Sequence, residues 1–323
     1  MCTAITFKAN NYYFGRTLDL EHRYNESVVI TPRDYIIRYK SGEIDRRHYA
    51  IIGTATVVDD YPLYYDATNE AGLSIAGLNF VGYSFYAIRL SSKTNIAPYE
   101  IILYLLSRCS SVNEALELIK GINIIDEPFN EGLQNAELHW LISDKKESIT
   151  LECVKEGIRI IKNQYGVLTN NPPFDYHLMN INNYINISSA EVECVFADGV
   201  DLMRYSKGMN AMGLPGDNSS MSRFVRATFT KCNSVIPDDD IACVSQFFHI
   251  LASVEQVEGS VITEGKFNRT QYMSCCDTDK CVYYYKTYNN SQISCVKMKN
   301  ESLDSDKLII YPFDDTEKIK YLN

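Results

Sequence analysis

Residues 1–20 read MCTAITFKANNYYFGRTLDL, and this stretch decides the architecture. CTAITFK (2–8) has strand-like alternation, ANN (9–11) supplies a turn, and YYFGRTLD (12–19) returns, which predicts a β-hairpin. A hairpin here brings Arg16 and Asp19 back beside Cys2. Cysteine is small enough for the initiator methionine to be trimmed, which leaves a thiol and a free α-amine on one residue. A thiol of ordinary pKa ~8.5 is mostly protonated at neutral pH, and an α-amine near ~7.7–8.0 can take its proton locally. Cys2 is therefore a candidate N-terminal nucleophile. Its chemistry asks for an acidic neighbour to orient the amine, a cation to favour thiolate, and donors for an oxyanion.

Outward from this hairpin, SVVITPR (27–33) and YAIIGTATVV (49–58) read as strands, and LYYDATNEAGLSIAGLNF (63–80) as strand, NEAG turn and strand. Their near-continuous apolar runs predict burial on both faces. Helices are predicted at PYEIILYLLSRC (98–109) and SSVNEALELIKG (110–121), the second with a capping box from Ser111 to Glu114 and Gly121 at its far end. AELHWLISDKKESITLECVKEGIRIIK (136–162) returns to strands with KKE and KEG turns. DYHLMNINNYI (175–185), MSRFVRATFTKC (221–232) and DIACVSQFFHILASV (240–254) have helical spacing. TQYMSCCDTDKCVYYYKTYNNSQISCVKM (270–298) ends in strands with NN or NNS as a hairpin turn. This order suits two sheets stacked between helix layers in one domain. Periodicity alone reaches α/β or α+β.

Composition removes several function classes. With 46% hydrophobic residues the chain can bury a substantial core, and its net charge of −10 argues against nucleic-acid binding. It shows no secretory signal and no run of about 18 apolar residues, so a soluble, cytoplasmic protein without membrane insertion is expected. Among ten cysteines no CxxC pair occurs; the only cluster is CCDTDKC (275–281). Reduced thiols are expected, with no metal and no cofactor. A thiol-rich redox or metal-binding protein is the alternative from a different class, and it would rest on Cys275, Cys276 and Cys281.

Taken singly, the candidate residues have plain readings. Arg16 and Asp19 could form a surface ion pair, and Asn79 of GLNF and Asn170 and Asn171 of LTNNP could be turn chemistry. Papain-type catalysis would need a histidine base, but His139 in LHW and His177 in FDYH read as packing or hydrogen-bonding residues.

Together, MCT, FGRTLD, TPR, NEAGLSIAGLNF, LHWLISD, GVLTNNPPFDYH, GLPGD, SRFVR, TQYMSC and YYYKTY run in order along nearly the whole chain. In this the sequence resembles the choloylglycine hydrolases, the N-terminal-nucleophile family of bile salt hydrolases and penicillin V acylases. The resemblance implies an α+β fold, the four-layered αββα sandwich, as a single domain over 1–323, assembled as a homotetramer in a bacterial cytoplasm. It implies hydrolysis of the amide bond of glycine- and taurine-conjugated bile salts, through a thioester on Cys2 that other amines could also intercept. Cys2 would be the nucleophile with its own amine as base, Asp19 would orient that amine, and Arg16 would favour thiolate. Asn79 and Asn170 would hold the oxyanion and the scissile amide, and Arg223 of SRFVR would be the remaining active-site arginine, with Arg226 at the helix surface. Leu20, Val58, Tyr65, Phe129 and Leu133 would line an apolar trough for the steroid, though each also reads as core or loop packing. Asn79 favours bile salts, since penicillin V acylases, the alternative, more often carry Tyr there. Ser206-Lys207-Gly208 resembles the Ser-Arg-Gly form that goes with taurine preference, with a lysine point charge in place of the arginine fork.

Overall fold

The computed structural model describes residues 1–323. Two antiparallel sheets carry it. One has seven strands, in the order Val167–Leu168, Cys2–Lys8, Tyr12–Leu20, Lys266–Asp277, Val282–Thr287 and Asn290–Lys297, with Val261–Thr263 paired to the start of Lys266–Asp277. The other has eight: Gly157–Lys162, Ser148–Val154, Leu138–Ser143, Ser74–Asn79, Tyr61–Asn69, Ile51–Val58, Ser27–Thr31 and Ile309–Pro312.

The predicted hairpin forms in full register, from Cys2 opposite Leu18 to Lys8 opposite Tyr12. Gly15 is required inside it, because a Cβ there would lie 2.0 Å from the Ser274 carbonyl oxygen of the adjoining strand.

Strand alternation assigns each face. Ile75, Trp140, Ile142 and Leu151 of the eight-stranded sheet join one core with helices Ile101–Arg108 and Val112–Gly121. Their neighbours Ala76, Leu78 and Leu141 turn the other way and pack with Cys2, Ala4 and Phe14 of the seven-stranded sheet. Helices Ser220–Cys232 and Asp240–Ala252 cover the outer face of that sheet through Phe224, Phe247 and Leu251. The layers are therefore helix, sheet, sheet, helix, which is the αββα sandwich, and the sheets are apolar on both sides because both sides are covered.

Local chemistry sets the helix ends. Ser111 Oγ accepts from Glu114 N–H at 3.3 Å as predicted, but the Glu114 carboxylate returns to Ser110, at 2.6 Å from its N–H, and not to Ser111. The last hairpin turns at Tyr288-Asn289, with Asn290 already paired to Thr287, one residue earlier than NN or NNS predicts. Strands Val261–Thr263 and Ile309–Pro312 were not predicted. No helix is long and apolar enough to cross a membrane.

CCDTDKC is core packing. Cys275 faces the helix layer with Cys243, whereas Cys276 and Cys281 sit in a separate cluster between the sheets with Tyr283 and Val296. Neighbouring strand residues point to opposite faces, so the three sulfurs do not converge. Burial pushes the Cys275 and Cys276 thiols well above their ordinary range.

Candidate active site

Cys2 is almost fully buried at the start of its strand. Cys2 pairs with Leu18 and Ala4 with Arg16, so the Cys2 and Arg16 side chains share the face turned to the second sheet. Arg16 is fully buried and reaches across the inter-sheet space to the Gly77 carbonyl at 2.5 Å and the Tyr65 carbonyl at 3.0 Å, while Nε donates to Thr17 O at 3.1 Å. Its Nη2 has no protein partner. Burial works against the guanidinium charge, but the Cys2 thiol, Tyr272, Asp66 and Asp19 outweigh it and hold Arg16 above its ordinary value. This is a buried cation with one unused donor beside Cys2, not a surface ion pair.

Asp19 is likewise fully buried. Its carboxylate accepts from Thr17 Oγ1 at 3.0 Å and from Thr270 Oγ1 at 2.7 Å. Thr270 is brought there by a β-bulge: Asp19 faces Thr270 and Leu18 faces Tyr272, leaving Gln271 as the extra residue, which donates to Leu20 O at 2.7 Å. The Asp19 backbone pairs with Met1, N–H to Met1 O at 2.8 Å and O to the Met1 amine at 2.5 Å.

The Cys2 nitrogen does not bond to the Asp19 carboxylate. Its peptide N–H donates to Asn170 Oδ1 at 2.8 Å. With Met1 attached this nitrogen has a single hydrogen, and Asn170 takes it. Asn170 Nδ2 donates to the Asn79 backbone carbonyl at 2.8 Å, so the two predicted asparagines meet, through a main-chain oxygen of one of them.

Arg223, also fully buried, closes the arrangement from the helix layer. Nη1 donates to Cys2 O at 2.5 Å and Thr3 Oγ1 at 2.7 Å, Nη2 to Asn170 Oδ1 at 2.6 Å, and Nε to Asn218 O at 3.0 Å. The GLPGD motif serves this helix: Asp217 accepts from Ser219 N–H at 2.9 Å and from Ser222 Oγ at 2.6 Å, and the Ser219 hydroxyl, the Ser222 hydroxyl and the Ser219 N–H together hold its carboxyl down to about 2. Arg226 is not a surface residue as expected. It is half-buried and ties the Ser253, Pro215 and Asp217 carbonyls together.

Several supporting residues escape the sequence reading. Asp66, buried between the sheets, accepts from Tyr272 OH at 2.8 Å, Tyr283 OH at 2.6 Å and Ser274 Oγ at 3.1 Å, beneath Arg16. Burial pushes its carboxyl up, and Arg16 pulls it back. The signal available was a lone carboxylate in an apolar strand, LYYDAT, which needs partners wherever it is buried. Behind Asn170, His139 Nε2 meets Thr169 O at 3.0 Å, His177 Nε2 meets Asn170 O at 2.9 Å, and Glu152 accepts from Phe174 N–H at 2.7 Å. The two histidines are thus hydrogen-bonding residues, as expected, and they hold the backbone that carries Asn170. Burial pushes His177 down to about 4.

The trough residues are less concentrated. Leu20 and Tyr65 pack against the core that contains Cys2, and Tyr65 OH shares a hydrogen bond with Thr56 at 3.0 Å. Val58 is half-buried at the end of its strand. Phe129 packs on Tyr61 and Tyr99, with ring centroids 5.6 and 5.5 Å away, in a shallow cavity of about 200 Å³ that Arg38 and Lys40 also line. Leu133 is exposed on the same 126–137 loop, and Lys207 is exposed on the long irregular segment 185–219.

A buried cysteine at the head of a strand in an αββα sandwich, with its nitrogen fixed by an amide and its carbonyl by an arginine, defines the N-terminal-nucleophile hydrolase class. The comparisons with known proteins narrow this. Residues 2–311 match the profile of the linear amide C–N hydrolases, choloylglycine hydrolase family, and the chain belongs to that family. It is 54% identical to a bile salt hydrolase/transferase of Lactiplantibacillus plantarum over 97% of both chains. Identity to the bile salt hydrolase/transferase of Clostridium perfringens is 38% over all of both chains. A crystal structure of a conjugated bile acid hydrolase from Clostridium perfringens superposes with a TM-score of 0.92 at 37% identity, covering all of both chains. A penicillin V acylase from Agrobacterium tumefaciens shares the fold, with a TM-score of 0.78 at 19% identity over 98% of this chain and 94% of that one.

Proposed function

We propose that the chain, acting as a single domain over 1–323, hydrolyses glycine- and taurine-conjugated bile salts at their amide bond. The observation that carries the reading is the convergence of Arg16, Asn170 and Arg223 on Cys2, in a chain 54% identical to a bile salt hydrolase/transferase.

Trimming of Met1 leaves the Cys2 amine where its peptide nitrogen now lies, against Asn170 Oδ1 and beside the Asp19 backbone that Met1 had paired with. The amine takes the thiol proton, and the Arg16 charge favours the sulfur anion. Sulfur attacks the amide carbon, and Asn79 and Asn170 hold the oxyanion and the scissile amide. As the tetrahedral intermediate collapses, the C–N bond breaks and the ammonium passes its proton to the leaving glycine or taurine nitrogen. Water, deprotonated by the same amine, then cleaves the thioester and frees the bile acid. An amine in place of water would yield a new amide, so acyl transfer is the expected side activity. Leu20, Val58, Tyr65, Phe129 and Leu133 line the path of the steroid, and Lys207 faces its anionic end.

The assembly we infer is a homotetramer in a bacterial cytoplasm. Ten cysteines without a disulfide suit a reducing compartment, and exposed Ile185, Val195, Phe196, Met203 and Tyr205 on the 185–219 segment offer surface for subunit contact. The deciding experiment is release of free taurine and glycine from taurocholate and glycocholate by the reduced, Met-free protein. Cys2→Ala and penicillin V are run alongside. Release that vanishes in the variant is expected; penicillin V cleavage without bile salt cleavage would move the function to an acylase.

A further inference from the structure

At the end of the molecule opposite the nucleophile, Lys8, Lys145, Lys146, Lys162 and Lys231 surround a cavity of about 520 Å³ with a single carboxylate, Glu147, in its wall. Four elements deliver them: the far end of the Cys2–Lys8 strand, the turn between Leu138–Ser143 and Ser148–Val154, the end of Gly157–Lys162, and the helix Ser220–Cys232, which adds Lys231. Seven strand residues at about 3.3 Å each put Lys8 roughly 20 Å from Cys2, so this is a separate site.

The chain carries 31 basic and 41 acidic side chains, so lysines ordinarily have carboxylates to meet. Here they do not. Lys145 alone has a carboxylate partner, Asp279 at 3.9 Å. Lys231 is enclosed at the floor, where its ammonium donates to Tyr165 O at 2.5 Å, Thr6 Oγ1 at 2.9 Å and Gly166 O at 3.4 Å. It is thereby fixed as a positive charge facing no counter-ion, and burial holds its pKa down to about 8. The rest of the wall is polar: Thr6, Tyr12, Ser148, Asn163 and Gln164, with Asn163 Oδ1 buried and unpaired. A concave wall with five lysines against one carboxylate focuses a positive field on an anionic ligand, and a nearly apolar-free lining excludes a greasy one.

We propose that this cavity binds a small multivalent oxyanion of the polyphosphate class, with Lys8, Lys145, Lys146 and Lys162 gripping its oxygens and Lys231 supplying the fixed charge beneath. Ammonium groups on long stems suit phosphate oxygens as point charges, and the volume accommodates a triphosphate.

The test is calorimetric titration with tripolyphosphate at constant ionic strength, using wild type, a Lys8→Gln/Lys162→Gln variant, and a Lys297→Gln/Lys320→Gln control that removes the same charge elsewhere. All four lysines are exposed, so the variants fold. Saturable one-to-one binding, weakened about tenfold or more in the first variant and retained in the control, is expected. No saturable binding by wild type, or equal weakening in both variants, overturns the proposal. A nucleoside triphosphate titrated in parallel reads the source: equal affinity assigns recognition to the phosphates alone, and tighter binding assigns a nucleotide, each upholding the anion site.

Discussion

Arg223 and Asn170 are joined by a 2.6 Å hydrogen bond from Nη2 to Oδ1, and both also hold Cys2, the arginine by its carbonyl and the asparagine by its nitrogen. Cys2 is thus gripped at both backbone atoms by two side chains that grip each other. Arg223→Lys keeps a charge but loses the fork, and it leaves Cys2 O or Asn170 Oδ1 unsatisfied in a dry site. We expect about 2 kcal/mol or more off the unfolding free energy and a fall in kcat of roughly 10- to 100-fold. Urea denaturation and bile salt turnover read both, and a variant with wild-type turnover would remove Arg223 from the site.

We expect Arg16 to act on the Cys2 thiol by charge, since Nη2 is buried without a protein partner and its other nitrogens are spent on carbonyls. Arg16→Gln should slow alkylation of Cys2 by iodoacetamide at pH 7 about tenfold or more, before any substrate is present. Peptide mapping isolates Cys2 from the other thiols. An unchanged alkylation rate would assign Arg16 a purely structural role.

Retention of Met1 should abolish activity, because the Cys2 nitrogen is then a peptide N–H committed to Asn170 and cannot serve as a base. Intact-mass measurement of fractions from one preparation, matched to their specific activity, checks this. Activity in a fraction that is wholly Met-bearing would exclude the amine as base.

The hairpin, the paired strands and the four main helices were legible because their signals are local: alternation, helical spacing, turn residues and caps. The hairpin alone made Arg16 and Asp19 legible as neighbours of the Cys2 end, whereas Asn79, Asn170 and Arg223 were singled out for it only by motif resemblance. Asp66, His139, Glu152 and His177 act through partners 7 to 217 residues away, and no window of sequence contains such a pair's geometry. The bulge at Gln271 is likewise a property of two strands and not of TQYMSC alone. Arg226 looked exposed by helix position, but the loops around Pro215 and Ser253 fold over it. The edge strand Ile309–Pro312 was missed because four residues carry too little periodicity to stand out from a polar tail.

His177 gives the fold an acid limit. Burial, with help from His139 and Arg223, lowers its pKa from an ordinary 6.5 to about 4, while its bond to Asn170 O and the Glu152 charge oppose the shift. Between those values the unfolded chain holds a proton that the folded chain lacks. The His177 contribution is therefore complete above about pH 6.5 and lost as pH falls towards about 4. At pH 5 the loss amounts to about 2 kcal/mol. Urea midpoints of wild type and His177→Gln at pH 7.5 and pH 5 check this: the variant should lose less on acidification, and equal losses would refute the assignment.

Lys207 lies exposed beside Gly208, which adopts φ of 74° and turns the chain before Met209. Its ammonium is free to meet a sulfonate or a carboxylate, and a point charge discriminates between them less sharply than a guanidinium fork does. Tauro-conjugates should be cleaved well and glyco-conjugates accepted. Lys207→Ala should lower kcat/KM for tauro-conjugates several-fold, about 1 kcal/mol of lost charge attraction, and lower the taurine-to-glycine ratio by a smaller factor, while Lys207→Arg should raise that ratio. High salt should shrink the difference for wild type and leave the Ala variant unmoved, since an exposed charge is screened beyond about 8–10 Å. If the ratio is the same in all three proteins, the conjugate is selected elsewhere, and the 126–137 loop with Phe129 and Leu133 becomes the place to look.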